Sequence, residues 1–255
     1  MADHLAEEIA GLARAQTNRG KLARELADLF LTIQKTLKPQ VSYEIGAFEA
    51  SFSVKLKNCL QDVDAYAFEA NPFNYKHWTS RRNFSDINYL HMAVSDSDGM
   101  LQFSLQDTVK ETGEHVKKVR GNNSLMQRSD KTMTYKCVDV MGKRLDTFAA
   151  ENNLQGKRAC AWIDVEGAQK MVLMGARQVL SNDVVSVLIE VEEHSFWEDQ
   201  WLAPEVLEYL SNLDFVCVAR DFEYRKQHNV LLIKRKYLEI VADQIRMWHA
   251  NIASN

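Results

Sequence analysis

Proline and glycine are scarce in this chain. Its 255 residues include only 3 prolines and 10 glycines, and no stretch is rich in either. Flexible linkers are typically built from such residues, so the sequence indicates no boundary between separately folded units. A chain of this length buries a substantial core, and we expect one large domain.

Cysteines are also few, and they are scattered. Cys59, Cys137, Cys160 and Cys217 form no CxxC pair and have no histidine at zinc-ligand spacing, so neither a disulfide framework nor a zinc site is predicted. The first residues, MADHLAEEIAG, lack the apolar segment of a signal peptide. No run reaches the roughly 18 consecutive apolar residues of a membrane span. A cytoplasmic location, away from membranes, is the expectation.

Neither sign of charge dominates the sequence. Lysine and arginine total 31 against 35 acidic residues, which gives a formal net charge of −4. This balance creates no broad attraction for nucleic acid or anionic lipid. We therefore expect a small-molecule partner and neither of those two, and the oligomeric state stays open.

What the chain does contain is an alternation of apolar strands with helical segments. Residues 1–40 are predicted to form a helical extension, interrupted near Asn18 to Gly20. Strands are predicted at 41–45, 65–69, 89–94, 159–164, 184–191, 215–219 and 230–233, with helices at 51–60, 169–180 and 204–212. This order predicts an α/β, Rossmann-like fold: a mainly parallel seven-stranded sheet with helices on both faces.

Two regions depart from that alternation. Only DFEYRKQHN separates the last two strands, which is too short for a crossover helix, so one antiparallel strand is expected near the C-terminus. Residues 95–140 hold two strand-like segments around a polar run, which is typical of an insertion that acts as a lid or specificity element. The main domain is thus predicted at 41–236, with residues 237–255 forming a final helix packed on it.

Acidic side chains stand at the ends of several predicted strands. In an open parallel sheet, ligands bind beyond the carboxyl ends of the strands. Burying carboxylates near a core is costly unless they are paired or bind a ligand. The polar residues at these ends are Glu44 and Gly46, Glu69 and Asn71, Ser95 and Asp96, Asp164 and Glu166, and Glu190, Glu192, Glu193 and His194.

The loop after the first strand discriminates between cofactors. A dinucleotide site requires GxGxxG, whereas EIGAFEAS has one glycine and two acids, Glu44 and Glu49. Those acids would repel a pyrophosphate and suit the amino and sulfonium groups of S-adenosylmethionine. Glu69, which ends the second strand, is placed to accept hydrogen bonds from both ribose hydroxyls.

An ordered set of segments resembles the FkbM-type methyltransferases, class I enzymes that use S-adenosylmethionine and many of which are O-methyltransferases. The resemblance runs from about Val41 to Lys234, and IDVEGAQKMVLMGA is its most specific part. Its segments are YEIGAFEASFS, AFEANPFNY, MAVSDSDG, NNSL, RLDTFAAEN, WIDVEGAQKMVLMGA and VVSVLIEVE. The chain departs from the family pattern at Glu44, where aspartate is common, and at Ala50, where a second glycine is usual.

The resemblance also implies roles for individual residues in cofactor binding. Asp164 would face the transferring methyl group. The other implied positions are Glu44, Gly46, Ala47 and Phe48 at the methionine portion, Glu69, Ala70 and Asn71 at the ribose, and Ala93, Val94, Ser95 and Asp96 at the adenine.

Methyl transfer to a hydroxyl requires alignment of the acceptor and a base for its proton. The candidates for that catalytic role are Asp164, Glu190 and His194. Glu166 is either part of the acceptor site or an N-cap of a helix beginning at Gly167. A sugar or another small polar molecule is the expected acceptor, with Asn123, Ser124 and Glu166 as contacts. Trp197 and Trp201 either stack on a sugar or anchor the core.

Other interpretations remain open. Asp164 and Glu190 carry oxygen ligands of the type that a divalent metal accepts, but nothing in their spacing demands one, so no metal ligand is predicted. The departures at Glu44 and Ala50 permit a catalytically silent binding module with the same fold. A nicotinamide-dependent oxidoreductase is disfavoured by the missing glycine triad.

Overall fold

The computed structural model describes residues 19–106, 122–132, 134–222 and 226–254. In chain order the elements of this part are α1 (Arg19–Leu37), β1 (Val41–Ile45), α2 (Ser51–Cys59), β2 (Asp64–Glu69), α3 (Pro72–Thr79), β3 (Asn88–His91), β4 (Ala93–Val94), β5 (Gly99–Gln106), β6 (Tyr135–Lys143), α4 (Leu145–Glu151), β7 (Ala159–Ile163), α5 (Gln169–Gly175), α6 (Arg177–Asn182), β8 (Val184–Glu192), α7 (Ala203–Asn212), β9 (Phe215–Arg220), β10 (Gln227–Lys234), a 3-10 turn (Arg235–Tyr237) and α8 (Leu238–Ser254). The first half of the predicted helical extension, and most of the polar run in the insertion, lie outside the described residues.

The main sheet has seven strands in the order β3-β2-β1-β7-β8-β10-β9. Strands β3, β2, β1, β7 and β8 pair in parallel, and β10 runs antiparallel to both β8 and β9. The prediction of a mainly parallel, Rossmann-like sheet with one antiparallel strand is confirmed. The strand order reverses direction between β1 and β7, and in such folds the ligand crevice forms at this switch point.

Helices cover both faces of the sheet because its strands alternate between two apolar sets. Val41, Tyr43 and Ile45 of β1 belong to a buried cluster that also contains side chains of α4, α5, α6 and α7. The opposite face is covered by α1, α2 and α8, where Phe30 and Leu56 are completely buried. The apolar stripe of α1 therefore packs on the core.

The predicted third strand is wrong in its second half. Main-sheet pairing stops at His91, and the Met92 N–H donates to the Glu69 carbonyl at 3.1 Å. Ala93 and Val94 pair instead with β6, in a second sheet of order β4-β6-β5. The strand-like segments on both sides of the polar run thus form a small sheet of their own.

Other differences are local. The helix predicted at 169–180 is broken at Ala176, whose φ of −109° and ψ of 12° leave the helical region, so α5 and α6 are separate. Helices α3 and α4 were not predicted. In the part of the chain that the structure describes, no helix combines the length and apolar character needed to cross a membrane.

Candidate active site

A cleft opens at the carboxyl edge of the main sheet. It offers about 840 Å³ free of protein atoms, including the open space at its mouth. The β1–α2 loop, the ends of β2 and β7 and the small second sheet form its walls. Its lining residues are Gly46, Phe48, Phe68, Glu69, Ala70, Asn71, Asn74, Met92, Ala93, Val94, Phe103, Asn123, Leu125, Asp164, Val165, Glu166 and Ala168.

The β1–α2 loop is folded tightly over the ends of β2 and β7. The N–H groups of Gly46 and Ala47 both donate to the Phe68 carbonyl, at 3.0 and 2.9 Å. Gly46 has a φ of +80°, and a Cβ on it would lie 1.6 Å from the Asp164 carbonyl oxygen, so only glycine fits. Ala50 adopts a φ of 54°, a left-handed conformation that favours the glycine of the usual family pattern.

Glu69 ends β2 with its side chain in the cleft wall. Its carboxylate accepts the Phe48 N–H at 2.7 Å and the Asn71 N–H at 2.7 Å, and the Asn74 amide at 3.4 Å. These bonds fix the carboxylate on the loop and on the start of α3. Burial raises the pKa of Glu69 to about 7, although the bonds act in the opposite direction. A carboxylate has about four acceptor positions, so capacity for a ligand hydroxyl remains.

Glu44 has a different environment from the one that the sequence suggested. Its two carboxylate oxygens accept the N–H groups of Phe52 and Ser53, at 3.1 and 2.7 Å, at the first turn of α2. Glu44 therefore holds a helix N-terminus, where negative charge is favourable. It does not line the cleft. Burial raises its pKa to about 7.

Glu44 lines a second cavity, which lies between α1 and the β1–α2 loop. This cavity offers about 690 Å³ free of protein atoms, including the open space at its mouth. Ala27, Asp28 and Leu31 of α1 line one side of it. Gly46, Phe48 and Asp164 line both this cavity and the cleft, so the two spaces are neighbours on either side of these residues. Ala47 faces the second cavity and not the cleft.

Three carboxyl groups converge where β7 and β8 end. Asp164, Glu166 and Glu190 each offer one oxygen, and these three atoms lie within 4.8 Å of one another. Burial raises the pKa of Asp164, and burial with repulsion from Asp164 raises that of Glu190 well above the ordinary value. The pKa of Glu166 rises to about 8 through burial and repulsion from Asp164 and Glu192, which outweigh attraction by Arg128. Like charges this close disfavour simultaneous ionisation of all three carboxyl groups.

The predicted adenine residues separate into two groups. Ala93 and Val94 line the cleft, opposite Phe103 of the second sheet. Ser95 is fully buried behind the wall, and a Cβ on Gly175 would lie 1.8 Å from its carbonyl oxygen. Asp96 is exposed, accepts the Ser95 hydroxyl at 3.2 Å, and does not line the cleft.

The predicted acceptor residues are also divided. Asn123 lines the cleft, and its side-chain oxygen accepts the Gln106 N–H at 3.0 Å. Ser124 is buried, pairs through its backbone with Ser104, and does not line the cleft. Glu166 lines the cleft. The helix that follows it begins at Gln169, so the N-cap prediction for a helix at Gly167 is wrong.

Two predicted site residues, the candidate base His194 and the candidate stacking residue Trp197, do not line the cleft. His194 is exposed, with its ring 5.4 Å from that of Phe196, and it is not among the described residues that line the cleft. Trp197 is fully buried, and its indole ring fills the space that a Cβ on Gly167 would need, at 2.2 Å. Of the two roles considered for Trp197, the structure assigns that of a core anchor.

Sequence reasoning missed several lining residues. Asn74 stands inside AFEANPFNY, one turn after Asn71, and this helical spacing was an available signal. Phe103 and Leu125 come from the second sheet and the segment after the polar run. Nothing local predicts their place in the cleft, because the pairing of β4 with β6 brings them there.

Comparison with known proteins identifies the family. The family model described as Methyltransferase FkbM domain matches residues 40–217, which is more than half of the chain. A comparison with curated protein sequences finds no match.

Solved structures with a similar chain course include three methyltransferases. One is 1,6-didemethyltoxoflavin-N1-methyltransferase of Burkholderia thailandensis with bound 1,6-didemethyltoxoflavin and S-adenosylhomocysteine, at 12% identity over 91% of this chain and 85% of that one, with a TM-score of 0.41. Human N-acetylserotonin methyltransferase in complex with SAM has 7% identity over 82% and 51%, with a TM-score of 0.40. A SAM-dependent methyltransferase from Aquifex aeolicus has 8% identity over 76% and 82%, with a TM-score of 0.35.

The family match covers β1 through the first part of β9, and therefore every described residue that lines the cleft. The strand order and the fold agree with that match. The chain belongs to the FkbM family of S-adenosylmethionine-dependent methyltransferases.

Proposed function

We propose that this protein transfers the methyl group of S-adenosylmethionine to a hydroxyl oxygen of a small polar molecule, such as a sugar. One observation carries the proposal: a single cleft holds Glu69 on one wall and Asp164 and Glu166 on another. The first is a hydrogen-bond acceptor suited to a diol. The other two are carboxyl groups whose pKa values are raised, so that in the ionised form each is a stronger base towards a hydroxyl proton than an ordinary carboxylate.

The cofactor would lie along the cleft from the second sheet to the β1–α2 loop. Its adenine would pack against Val94 and Phe103, whose apolar side chains form that end of the cleft. Its ribose hydroxyls would donate to Glu69, which Phe48 and Asn71 already hold in place, and the second hydroxyl would replace the long Asn74 contact. This fixed orientation lowers the entropic cost of forming charge-assisted hydrogen bonds with the diol. The methionine portion would then extend past Gly46.

That orientation directs the sulfonium methyl towards the end of β7. The acceptor oxygen would approach from the side opposite the sulfur, because the displacement is in line. The oxygen–carbon bond forms as the carbon–sulfur bond breaks, and the electron pair of the broken bond neutralises the sulfonium. The hydroxyl proton would pass to Asp164, or to Glu166 or Glu190 in the same cluster. In its ionised form, a carboxyl group with a raised pKa is a stronger base than an ordinary carboxylate.

The test is methyl transfer from S-adenosylmethionine labelled in its methyl group to a panel of sugars, polyols and amines. The expected product is a labelled methyl ether, formed with one equivalent of S-adenosylhomocysteine. Cofactor binding without transfer to any acceptor would favour the silent binding module. A labelled methylamine as the sole product would contradict transfer to oxygen while leaving the family assignment intact.

A further inference from the structure

The carboxyl cluster at the ends of β7 and β8 brings three carboxylate oxygens close together, whereas a single carboxylate is enough to accept a proton. We propose that Asp164, Glu166 and Glu190 bind a divalent cation of the hard, oxygen-preferring class: Mg²⁺, Mn²⁺ or Ca²⁺. Their three oxygens lie within 4.8 Å of one another. Ligand oxygens lie about 2.0–2.6 Å from such a cation, so two on opposite sides are about 4–5 Å apart. The observed spacing fits a shared ion.

Glu190 supplies an independent indication that a ligand is needed. Its side chain is only 6% exposed. Its carboxyl group interacts with Gln227 and Asp164, but its Oε2 accepts no hydrogen bond from any residue that the structure describes. A buried polar atom without a partner is costly, so native structures nearly always satisfy it. Glu190 shares the cluster with Asp164, and a cation between their carboxylates would satisfy this oxygen.

The charge balance of the cluster also favours a cation. Glu192 is fully buried beside these groups and adds a further carboxyl group to them, although its Oε2 accepts the Gln169 amide at 3.1 Å. Arg128 attracts Glu166, but among the described residues no lysine or arginine lies within ion-pair distance of Asp164, Glu166 or Glu190. Buried carboxylates are usually paired with a positive group or bound to a metal.

The placement of the ion would define the class of acceptor. Asp164 and Glu166 line the cleft, whereas Glu190 comes from β8 behind them, so free coordination positions would face the cleft. These positions would take an oxygen atom of the acceptor, or two neighbouring hydroxyls. A bound cation lowers the pKa of a hydroxyl, and carboxylate oxygens outside the coordination sphere stay available for its proton. In this respect the inference rests on the proposed function.

The test is titration of the cofactor-free protein with Mn²⁺, followed by the electron paramagnetic resonance of the free ion. One Mn²⁺ per chain is expected, with binding weakened at least about tenfold in Glu190→Gln and in the less buried Glu166→Gln. Glu208→Gln is the matched control, because that carboxylate is exposed on α7. S-adenosylhomocysteine binding by each variant would show that it is folded.

Two results would overturn the inference: no Mn²⁺ binding up to about 1 mM, or equal binding by both cluster variants and wild type. The experiments distinguish a wrong cation site from a wrong proposed function. If the protein methylates hydroxyls without binding Mn²⁺, the cation site alone is wrong. If Mn²⁺ binds at the cluster but no methyl is transferred to oxygen, the proposed function is wrong and the cation site stands.

Discussion

The carbonyl oxygen of Asp164 occupies the position next to Gly46 where any other residue would carry its Cβ, with a separation of 1.6 Å. The same residue Asp164 offers its N–H to the Ile45 carbonyl at 2.9 Å. The end of β1 and the end of β7 are therefore joined by backbone contact. The backbone of Asp164 and the β1–α2 loop are thus held together, and residues of both line the cleft.

The first prediction concerns Gly46→Ala. The variant must either move the end of β7 or refold the loop, in addition to the roughly 1 kcal/mol that a left-handed alanine costs. Calorimetry should show at least a tenfold loss of S-adenosylhomocysteine affinity, with a lowered melting temperature. Gly156→Ala is the matched control, because Gly156 has a φ of +76° but no atom within 4 Å of its Cβ position. Equal stability losses in the two variants would contradict the close-contact explanation.

The second prediction concerns Glu69→Gln. Loss of the negative charge should weaken S-adenosylhomocysteine binding by about 1.5–3 kcal/mol, or roughly 10–150-fold, because charge-assisted hydrogen bonds to the ribose are lost. Asp64→Asn changes a carboxylate at the opposite, exposed end of the same strand and should leave affinity unchanged. Wild-type affinity in Glu69→Gln would exclude this residue from the ribose site.

The third prediction concerns the pH dependence of stability. Burial raises the pKa of Glu44 and of Glu69 to about 7, so the folded protein holds protons that the unfolded chain has released. Stability should therefore rise as the pH falls from about 8 to about 6.5. Below that range His228 opposes the trend. Burial lowers its pKa to about 4 in the folded protein, so as the pH falls His228 gains a proton in the unfolded chain before it does so in the folded one, and this favours unfolding.

Thermal unfolding across this range measures the effect. The slope should be smaller in Glu44→Gln, which cannot titrate, and should match wild type in Glu239→Gln, whose carboxylate is exposed on α8. A wild-type protein that became more stable as the pH rose from about 6.5 to 8 would show that these carboxyl groups ionise easily in the folded state.

The fourth prediction concerns Asp164→Asn. Removal of a general base typically lowers turnover about 10²–10⁴-fold, and cofactor affinity should hold because the variant keeps the size of the side chain and its backbone bond to Ile45. His194→Asn should leave turnover near that of wild type, because His194 is exposed and does not line the cleft. Near-wild-type turnover in Asp164→Asn, or a strong loss in His194→Asn, would reverse these assignments.

The main sheet was predictable because each of its strands is a short apolar run between polar or helical segments. Strand β1 was predicted with both ends correct, at Val41–Ile45. Strand β4 was not, because Ala93 and Val94 continue the apolar run of β3, and only pairing with Gly142 and Lys143 separates them. That pairing spans about 50 residues of chain and leaves no local pattern.

Part of the candidate site could be predicted from which residues lie at the carboxyl ends of the strands. Glu69, Asp164 and Glu166 were expected at the cleft because they lie at or just beyond strand ends, and the structure places them in its lining. Glu44 lies within β1 on the α2 face, where it binds amides of that helix. The family pattern gives the residue at this position but does not indicate which partner it holds.

The most direct test of the central claim is the crystal structure of this protein with S-adenosylhomocysteine. We expect the nucleoside in the cleft, with its ribose hydroxyls within hydrogen-bond distance of Glu69 and its sulfur pointing towards Asp164. Nucleoside density in the cavity beside α1, or a ribose without contact to Glu69, would contradict the proposed arrangement.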